Sequence, residues 1–142
     1  MVKVETHSYL SSEVCELIKI TDDVCSFVES SGIRDGVLIV ISAHTTCGIL
    51  VNEGLPCVEQ DLQDLFEKVV PLDEPYAHAH FLPSYGATGN NSQGHLKQTL
   101  CGNSCMFPLV GGQVQRGSTQ DIYLAEFDGP QRRTVFFEVM GE

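Results

Sequence analysis

The stretch GVLIVIS, residues 36–42, holds five apolar residues in a row, four of them β-branched. A run of this kind, without polar alternation, is typical of a central strand covered on both faces. A central strand needs a partner on each edge, so the remainder of the chain must supply a sheet around it. His44 follows directly after this predicted strand. Side chains at strand ends commonly contribute to functional sites.

Strand patterns also fill the last third of the chain, where turn signals at Gly111-Gly112 and Asp128-Gly129-Pro130 separate them. These strands are SCMFPLV (104–110), a short QVQR segment, DIYLAEF (121–127) and RTVFFEVM (133–140). At the other end of the chain, alternation from Val2 to Thr6 predicts a strand. VCELIKI (14–20) is apolar enough to be its partner in a hairpin-like start.

Three helices are predicted between the first and last strands. Thr21 stands where an N-cap is expected and Gly32 where the first helix ends. Pro56 suits the first turn of a second helix, which Pro71 stops and whose apolar stripe is Val58, Leu62, Leu65, Phe66 and Val69. A short third helix is capped by Ser92 and runs from about His95 to Leu100. Helices early and antiparallel strands late predict the α+β class.

The length of 142 residues and the hydrophobic content of 42% predict a single domain over residues 1–142. A net charge of −11, with eight Lys and Arg residues, argues against a nucleic-acid partner, because phosphate-backbone affinity depends on basic side chains. No stretch approaches the roughly 18 apolar residues of a membrane span, and the N-terminus does not resemble an export signal. These observations predict a cytoplasmic protein whose six cysteines are free thiols.

Three of the five histidines fall within residues 76–97, a region that otherwise reads as a long loop followed by the short helix. His44, His78 or His80, and His95 could together supply three nitrogen ligands to zinc, with a fourth position open for water. No two of them show the His-x-x-x-His repeat of ligands on one helical face. Spacing alone therefore leaves open a second interpretation, in which these are solvated loop imidazoles.

Other polar residues are candidates for phosphate binding or acid–base catalysis, and each also has a simpler structural explanation. Hydroxyls and amides at Thr45, Thr46 and Asn90 could cradle a phosphate, or they could simply be turn residues. Carboxylates at Glu53 and Glu126 could activate a water or could lie exposed, and the direction of Glu126 in the strand pleat is not fixed by the pattern.

The segments HTTCGILVNEG, GHLKQTLCGNS and DIYLAEFDGPQRRTVFFEVMGE, in this order, resemble the YjbQ family, also called UPF0047 or secondary thiamine-phosphate synthase-like proteins. The likeness covers about residues 9 to 142. It implies a small α+β fold with a mainly antiparallel or mixed sheet and helices packed on one side. It further implies a homotrimer with sites near the subunit boundaries, a histidine pocket that binds zinc or another divalent metal, and a phosphorylated small-molecule ligand.

Carried over residue by residue, the resemblance implies three groups of site residues. The metal ligands are His44, His78 and His95, with His80 as the alternative to His78 because the loop after Tyr76 is long. Candidate catalytic residues are His44, His95, Glu126, Asn52 and Glu53, and candidate phosphate-binding residues are Thr45, Thr46, Asn90, Lys97, Gln120 and Arg133. Thr119 stands where the family usually has Trp, which predicts a wider or differently filled pocket.

Two functions from different classes follow from this resemblance. The first is an enzyme with weak thiamine-phosphate synthase activity, or a related metal-dependent hydrolase in which Glu126 or Glu53 activates water. The second is a non-catalytic oligomer that binds a metal or a phosphorylated ligand. Turnover that depends on His95 would separate the enzyme from the binder.

Overall fold

Eight strands form two antiparallel sheets in the computed structural model, which describes residues 1–80 and 91–142, without the side chains of residues 79 and 80. The larger sheet contains β1 (Val2–Leu10), β3 (Gly36–Ser42), β5 (Ser104–Val110), β6 (Gln113–Val114) and β8 (Arg132–Gly141). Its strand order is β1-β8-β3-β5-β6. The smaller sheet contains β2 (Glu16–Lys19), β4 (Cys47–Glu53) and β7 (Gln120–Glu126), in the order β2-β7-β4.

The described helices are α1 (Thr21–Ser31), α2 (Pro56–Val69), α3 (Ala77–His80) and α4 (Ser92–Cys101). The predicted α+β class is therefore confirmed. Gly32 ends α1 in a left-handed conformation with φ 72°, which glycine adopts at low cost, and Pro56 begins α2, both as predicted. Thr21 is the first residue of α1 rather than its cap, and its hydroxyl bonds to Asp121 and to the Ile122 N–H of β7. No described helix is long and apolar enough to cross a membrane.

The core lies between the two sheets. Inward-facing residues of the large sheet, among them Leu38, Val40 and Phe137, meet Ile122 and Leu124 of β7 in one cluster, and all five are essentially inaccessible to solvent. Helix α1 adds Val24, Phe27 and Val28 to the same cluster. Burial of this apolar surface is the main force that holds the sheets face to face.

The predicted hairpin at the N-terminus is wrong. β1 pairs along its whole length with β8, whereas β2 pairs with β7 in the other sheet. Residues 11–15 thus carry the chain from one sheet to the other. The turn at 128–130 likewise joins β7 to β8 across the two sheets. Each pattern identified a strand, but its partner was set by packing at long sequence distance.

The central strand β3 has β8 on one edge and β5 on the other, as expected. Leu38 and Val40 are buried, but Val37, Ile39 and Ile41 on the opposite face are only half-buried. The prediction that β3 is covered on both faces is therefore wrong for a single chain, within its described residues. The register places Met140 beside Val37 and Met106 beside Ile39. One strand further out, Val2 lies beside Met140 and Val4 beside Glu138, which is half-buried between Val4 and Ile39. Val2, Val4, Met106 and Met140 are exposed. We call this set the outer sheet face.

Candidate functional site

A cavity of about 560 Å³ lies between the start of α4 and the start of α3 with the tyrosine that precedes it. Tyr76, Ala77 and His78 line one side, and Ser92, His95 and Leu96 of α4 line the other. Its volume is that of a small-molecule pocket rather than of a single ion. Two of the predicted site histidines thus share one cavity, although 17 positions separate them in sequence (95 − 78 = 17).

The imidazoles of His78 and His95 meet edge to face in this cavity. Their ring centroids are 5.2 Å apart and the ring planes make an angle of 83°. Both side chains are half-buried, so a ligand in the cavity can reach them. Neutral imidazole can accept a proton and protonated imidazole can donate one, which suits this pair to proton transfer or to binding an anion. The side chain of the alternative, His80, is outside the described part of the structure.

Helix α4 is anchored to the turn after β7 by its first residues. The Asn91 side-chain amide donates to Asp128 Oδ2 at 3.0 Å, and the Gln93 amide donates to the Phe127 carbonyl at 2.9 Å. Gly94 allows this close approach, because a Cβ there would lie 3.0 Å from the Phe127 oxygen. These contacts fix the position of His95 one residue further along the helix.

Glu126 and Arg133 form a buried ion pair next to this anchor. Arg133 Nε lies 2.8 Å from Glu126 Oε1, and its Nη2 contacts Oε2 as well. The Ser11 hydroxyl and the Phe127 N–H also donate to the carboxylate, and Arg133 donates to Thr46 Oγ1 at 2.8 Å. Glu126, Arg133 and Thr46 are buried, and the four acceptor positions of a carboxylate are filled from within the chain. These contacts describe a structural pair, and a catalytic or phosphate role for its members stays a prediction.

His44 lies beside this pair but turns its ring toward β8. Its Nε2 accepts a hydrogen bond of 2.9 Å from the Thr134 N–H, so the ring is neutral, with its proton on Nδ1. Burial, followed by the positive charge of Arg133, lowers the pKa of His44. The nitrogen that a metal would need is thus engaged by the backbone.

Among the described side chains, those of residues 1–78 and 91–142, no three from His, Cys, Asp or Glu come together as a metal-binding group. The geometry of one chain therefore does not fit a His44, His78 and His95 centre as it stands, since His44 already binds Thr134. His78 and His95 remain an adjacent pair. Zinc binding by this protein stays a prediction.

Lys97 faces away from the histidine cavity, toward α2. Its ammonium lies 2.9 Å from Glu67 Oε2 and 3.8 Å from Cys15 Sγ, and the lysine is buried. These groups line a second cavity of about 210 Å³, together with Phe66 and Phe127. The ion pair with Lys97 lowers the pKa of Glu67. To bind a phosphate, Lys97 would have to break its ion pair with Glu67.

The remaining predicted residues lie elsewhere. Asn52 and Glu53 are exposed and pair with Asp121 and Gln120, whereas Cys47 at the other end of β4 pairs with Glu126. Seven residues of strand place these ends roughly 20 Å apart. Thr45 and Thr119 are exposed, the latter beside Gln120, and Asn90 is not among the described residues.

Sequence reasoning missed two residues that the structure places at these centres. Ser11 bonds to Glu126 at 2.6 Å although it is 115 positions away, and no local pattern indicated this. Ser92, predicted only as a cap, lines the histidine cavity. The signal was present in the Ser92-x-x-His95 spacing, because residues three apart on a helix share a face.

Taken together, the chain is a two-sheet α+β protein with an imidazole-lined cavity of small-molecule size. The sequence model of the family described as "UPF0047 protein YjbQ-like" matches residues 5–142. The chain belongs to this family, as its motifs indicated.

Related proteins from archaea and bacteria agree with this assignment. A UPF0047 protein of Methanothermobacter thermautotrophicus is 38% identical over 132 residues, 93% of this chain and 87% of that protein. The UPF0047 protein YugU of Bacillus subtilis is 34% identical over 127 residues, 89% of this chain and 90% of that protein. The crystal structure of a YbjQ-like protein of unknown function from Sulfolobus solfataricus superimposes with a TM-score of 0.93 at 29% identity, covering 100% of this chain and 99% of the other.

Proposed function

We propose that this protein is a small-molecule enzyme that binds a phosphorylated ligand in the His78–His95 cavity, with thiamine-phosphate synthase-like transfer as its reaction. The observation that carries the proposal is the edge-to-face imidazole pair, 5.2 Å between centroids, in a cavity of about 560 Å³. Two accessible imidazoles in a small-molecule pocket supply groups that bind an anion and move a proton.

In that reaction a C–N bond forms between a pyrimidine and a thiazole phosphate while the bond to pyrophosphate breaks. His78 or His95, when protonated, would donate to the departing pyrophosphate oxygen, and the start of α4 would orient the phosphate of the other substrate. A divalent cation such as zinc supplies charge stabilisation to pyrophosphate when it is bound. His78 and His95 would hold such a cation only as neutral imidazoles, so metal binding by this pair and proton donation by it are alternatives.

The test is product formation from the pyrimidine pyrophosphate and the thiazole phosphate by wild type, His78→Ala and His95→Ala. Removing one proton-transfer group should lower the rate about 100-fold or more. His7→Ala is the matched control, because His7 lies in β1 and does not line this cavity. Equal turnover by wild type and His95→Ala, both folded, would refute the proposal. Metal content measured on the same samples tests the zinc prediction separately.

A specific observation favours the second candidate, a non-catalytic binder of a phosphorylated ligand. Arg133 and Lys97, the basic residues expected to hold phosphate, are both committed to carboxylates within the chain, Glu126 and Glu67. A site with few free charges can bind without accelerating a reaction. His95-dependent ligand binding with no His95-dependent product would establish this candidate.

A homotrimer in the cytoplasm belongs to the same proposal. The outer sheet face supports it, because Met106 is 68% exposed beside half-buried Ile39, and exposed Met140 and Val2 follow half-buried Val37 across the next two strands. Contiguous apolar surface of this kind is a common mark of a protein interface. All six cysteines are free thiols in the structure, which agrees with a reducing compartment.

A further inference from the structure

A buried lysine in the second cavity has a counter-ion that is itself mostly in solvent. The Lys97 side chain is 2% exposed, whereas that of Glu67, 2.9 Å from the ammonium, is 57% exposed. A buried ammonium needs a counter-charge, but an exposed carboxylate holds it weakly, because water competes for the same contact. Glu67 is therefore a partner that the charged group of a ligand can replace.

The Cys15 thiol also contacts this ammonium, but it does not neutralise it. Cys15 Sγ lies 3.8 Å from Lys97 Nζ, and burial raises the pKa of the thiol despite the opposing charge of Lys97. By contrast, the hydrogen bond from Lys97 lowers the pKa of Glu67, which is a carboxylate at neutral pH. Glu67 Oε1 also accepts from the Leu72 N–H, so this side chain can keep its place while Oε2 changes its partner.

The charges around the second cavity disfavour a simple anion and a simple cation alike. Glu16, Asp64 and Glu67 line it, and Lys97 is the one basic residue among the described residues of the lining. Glu126 lines it as well, but its carboxylate is already paired within the chain. A phosphate would be repelled by the three carboxylates, and an amine by the ammonium of Lys97. A small ligand that carries one charge of each sign has a favourable partner for both.

An apolar wall completes the cavity. The rings of Phe66 and Phe127 meet edge to face with their centroids 5.0 Å apart, and Leu17 is the other large apolar residue of the lining. The volume of about 210 Å³ is below the roughly 300–1,000 Å³ of pockets for larger ligands. The occupant is thus a small metabolite with an apolar group beside its charges.

We infer that the second cavity binds a free α-amino acid with an apolar side chain. The carboxylate of the ligand accepts from Lys97, its ammonium donates to Glu67, and its side chain lies against Phe66 and Phe127. The two charged groups of an α-amino acid are attached to one carbon atom, so they fit between a lysine and a glutamate that contact each other in the empty cavity. This exchange leaves no charge without a partner. The site shares no described lining residue with the His78–His95 cavity and does not depend on the proposed function.

The probes are leucine, isocaproate, isoamylamine, alanine and inorganic phosphate, titrated calorimetrically into the full-length protein. Isocaproate is leucine without its ammonium, and isoamylamine is leucine without its carboxylate. Leucine should bind about tenfold more tightly than either, because each lacks one hydrogen bond between charged groups. Alanine should also bind about tenfold more weakly than leucine, since it has less apolar surface to bury on the phenylalanine rings.

Lys97→Met should lower the affinity for leucine about tenfold or more, because methionine keeps the buried stem but loses the ammonium. Folding is preserved, because the carboxylate left without a partner, that of Glu67, is exposed. Lys68→Met, at the exposed position after Glu67, is the matched control. His78→Ala, in the other cavity, is a second control, and both should bind leucine as wild type does.

Glu67→Gln supplies a readout that does not depend on the stability of the variant. It removes the group that receives the ligand ammonium, and it removes the charge that competes with the ligand carboxylate for Lys97. The ratio of leucine affinity to isocaproate affinity, measured on the same protein, should therefore fall about tenfold. If Lys97 and Glu67 only held α4 to α2, this ratio would not change.

Equal leucine affinity in wild type and Lys97→Met overturns the inference, and so does an unchanged ratio in Glu67→Gln. Tighter binding of phosphate, isocaproate or isoamylamine than of leucine by wild type also overturns it. Absence of leucine binding at millimolar concentration does the same. Turnover by the His78–His95 cavity is a separate measurement, so neither result decides the other.

Discussion

Arg133 reaches back from the first residues of β8 to Glu126 at the end of β7, and both side chains are at most 2% exposed. The pair spans the turn on which α4 is anchored, through Phe127 and Asp128. The position of His95 therefore depends on a charge pair that does not itself line the histidine cavity.

Breaking this pair should destabilise the protein strongly. Glu126→Gln or Arg133→Met leaves a buried charge without its partner, which typically costs about 3–5 kcal/mol. Urea unfolding of each variant measures the loss. Lys19→Met is the control, since its ion pair with Asp121, at 3.6 Å, is partly exposed and should contribute at most about 1 kcal/mol. Similar small losses for both kinds of variant would show that the buried pair is not structural.

The stability of the protein should depend on pH through His44. Its pKa is lowered in the folded state by burial and by Arg133, and its Nε2 must stay unprotonated to accept from Thr134. In the unfolded chain a histidine takes up its proton near pH 6.5. The unfolded state thus binds more protons, so the contribution of neutral His44 is fully present above that pH. It is lost as the pH falls toward the folded pKa.

The measurement is the free energy of unfolding of wild type and His44→Gln between pH 7.5 and 5. Glutamine keeps an oxygen that can accept from Thr134 but does not titrate. Wild type should lose stability relative to His44→Gln on acidification. Parallel curves for the two proteins would contradict the hydrogen-bonded, neutral imidazole.

Gly94→Ala should be destabilising, although alanine is the better helix former. The added Cβ would lie 3.0 Å from the Phe127 oxygen, 3.2 Å from Asp128 Cβ and 3.3 Å from Thr46 Cβ. Crowding of this kind costs about 1–3 kcal/mol and outweighs a helix-propensity gain of about 1 kcal/mol. Thermal unfolding beside Thr99→Ala, an exposed position of the same helix, isolates the packing effect. A net gain in stability would mean that α4 can move away from the turn without cost.

The outer sheet face should be the surface that holds the proposed trimer together. Met106 is 68% exposed in one chain, and Met106→Lys would place a charge within the apolar contact. The molar mass measured by light scattering should then fall from about three times 15.6 kDa to the mass of one chain. Leu65→Lys on α2, 54% exposed, is the matched control and should leave the mass unchanged. Dissociation by Leu65→Lys alone would place the interface on α2 instead.

The local elements were predictable because their causes are local. Pro56 fixes the start of α2 and Gly32 the end of α1, since one restricts φ and the other tolerates a positive φ. The run at 36–42 is the central strand that its β-branched residues indicated. The family motifs around His44, His95 and Glu126 are likewise visible in the sequence itself.

The candidate site depended on tertiary structure, because its contacts join residues far apart in the chain. The pattern of YLAEF left the direction of Glu126 open, and packing between the sheets decided it by burying the carboxylate against Arg133 and Ser11. His78 and His95 meet because α4 is anchored on the turn after β7, which no spacing encodes. The sequence alone predicted most of the helices and strands, since backbone propensity and periodicity are local, but it missed the strand β4 and the short helix α3. The pairing of the strands and the convergence of the imidazoles were decided only in three dimensions, where burial of the common core selects one arrangement among many.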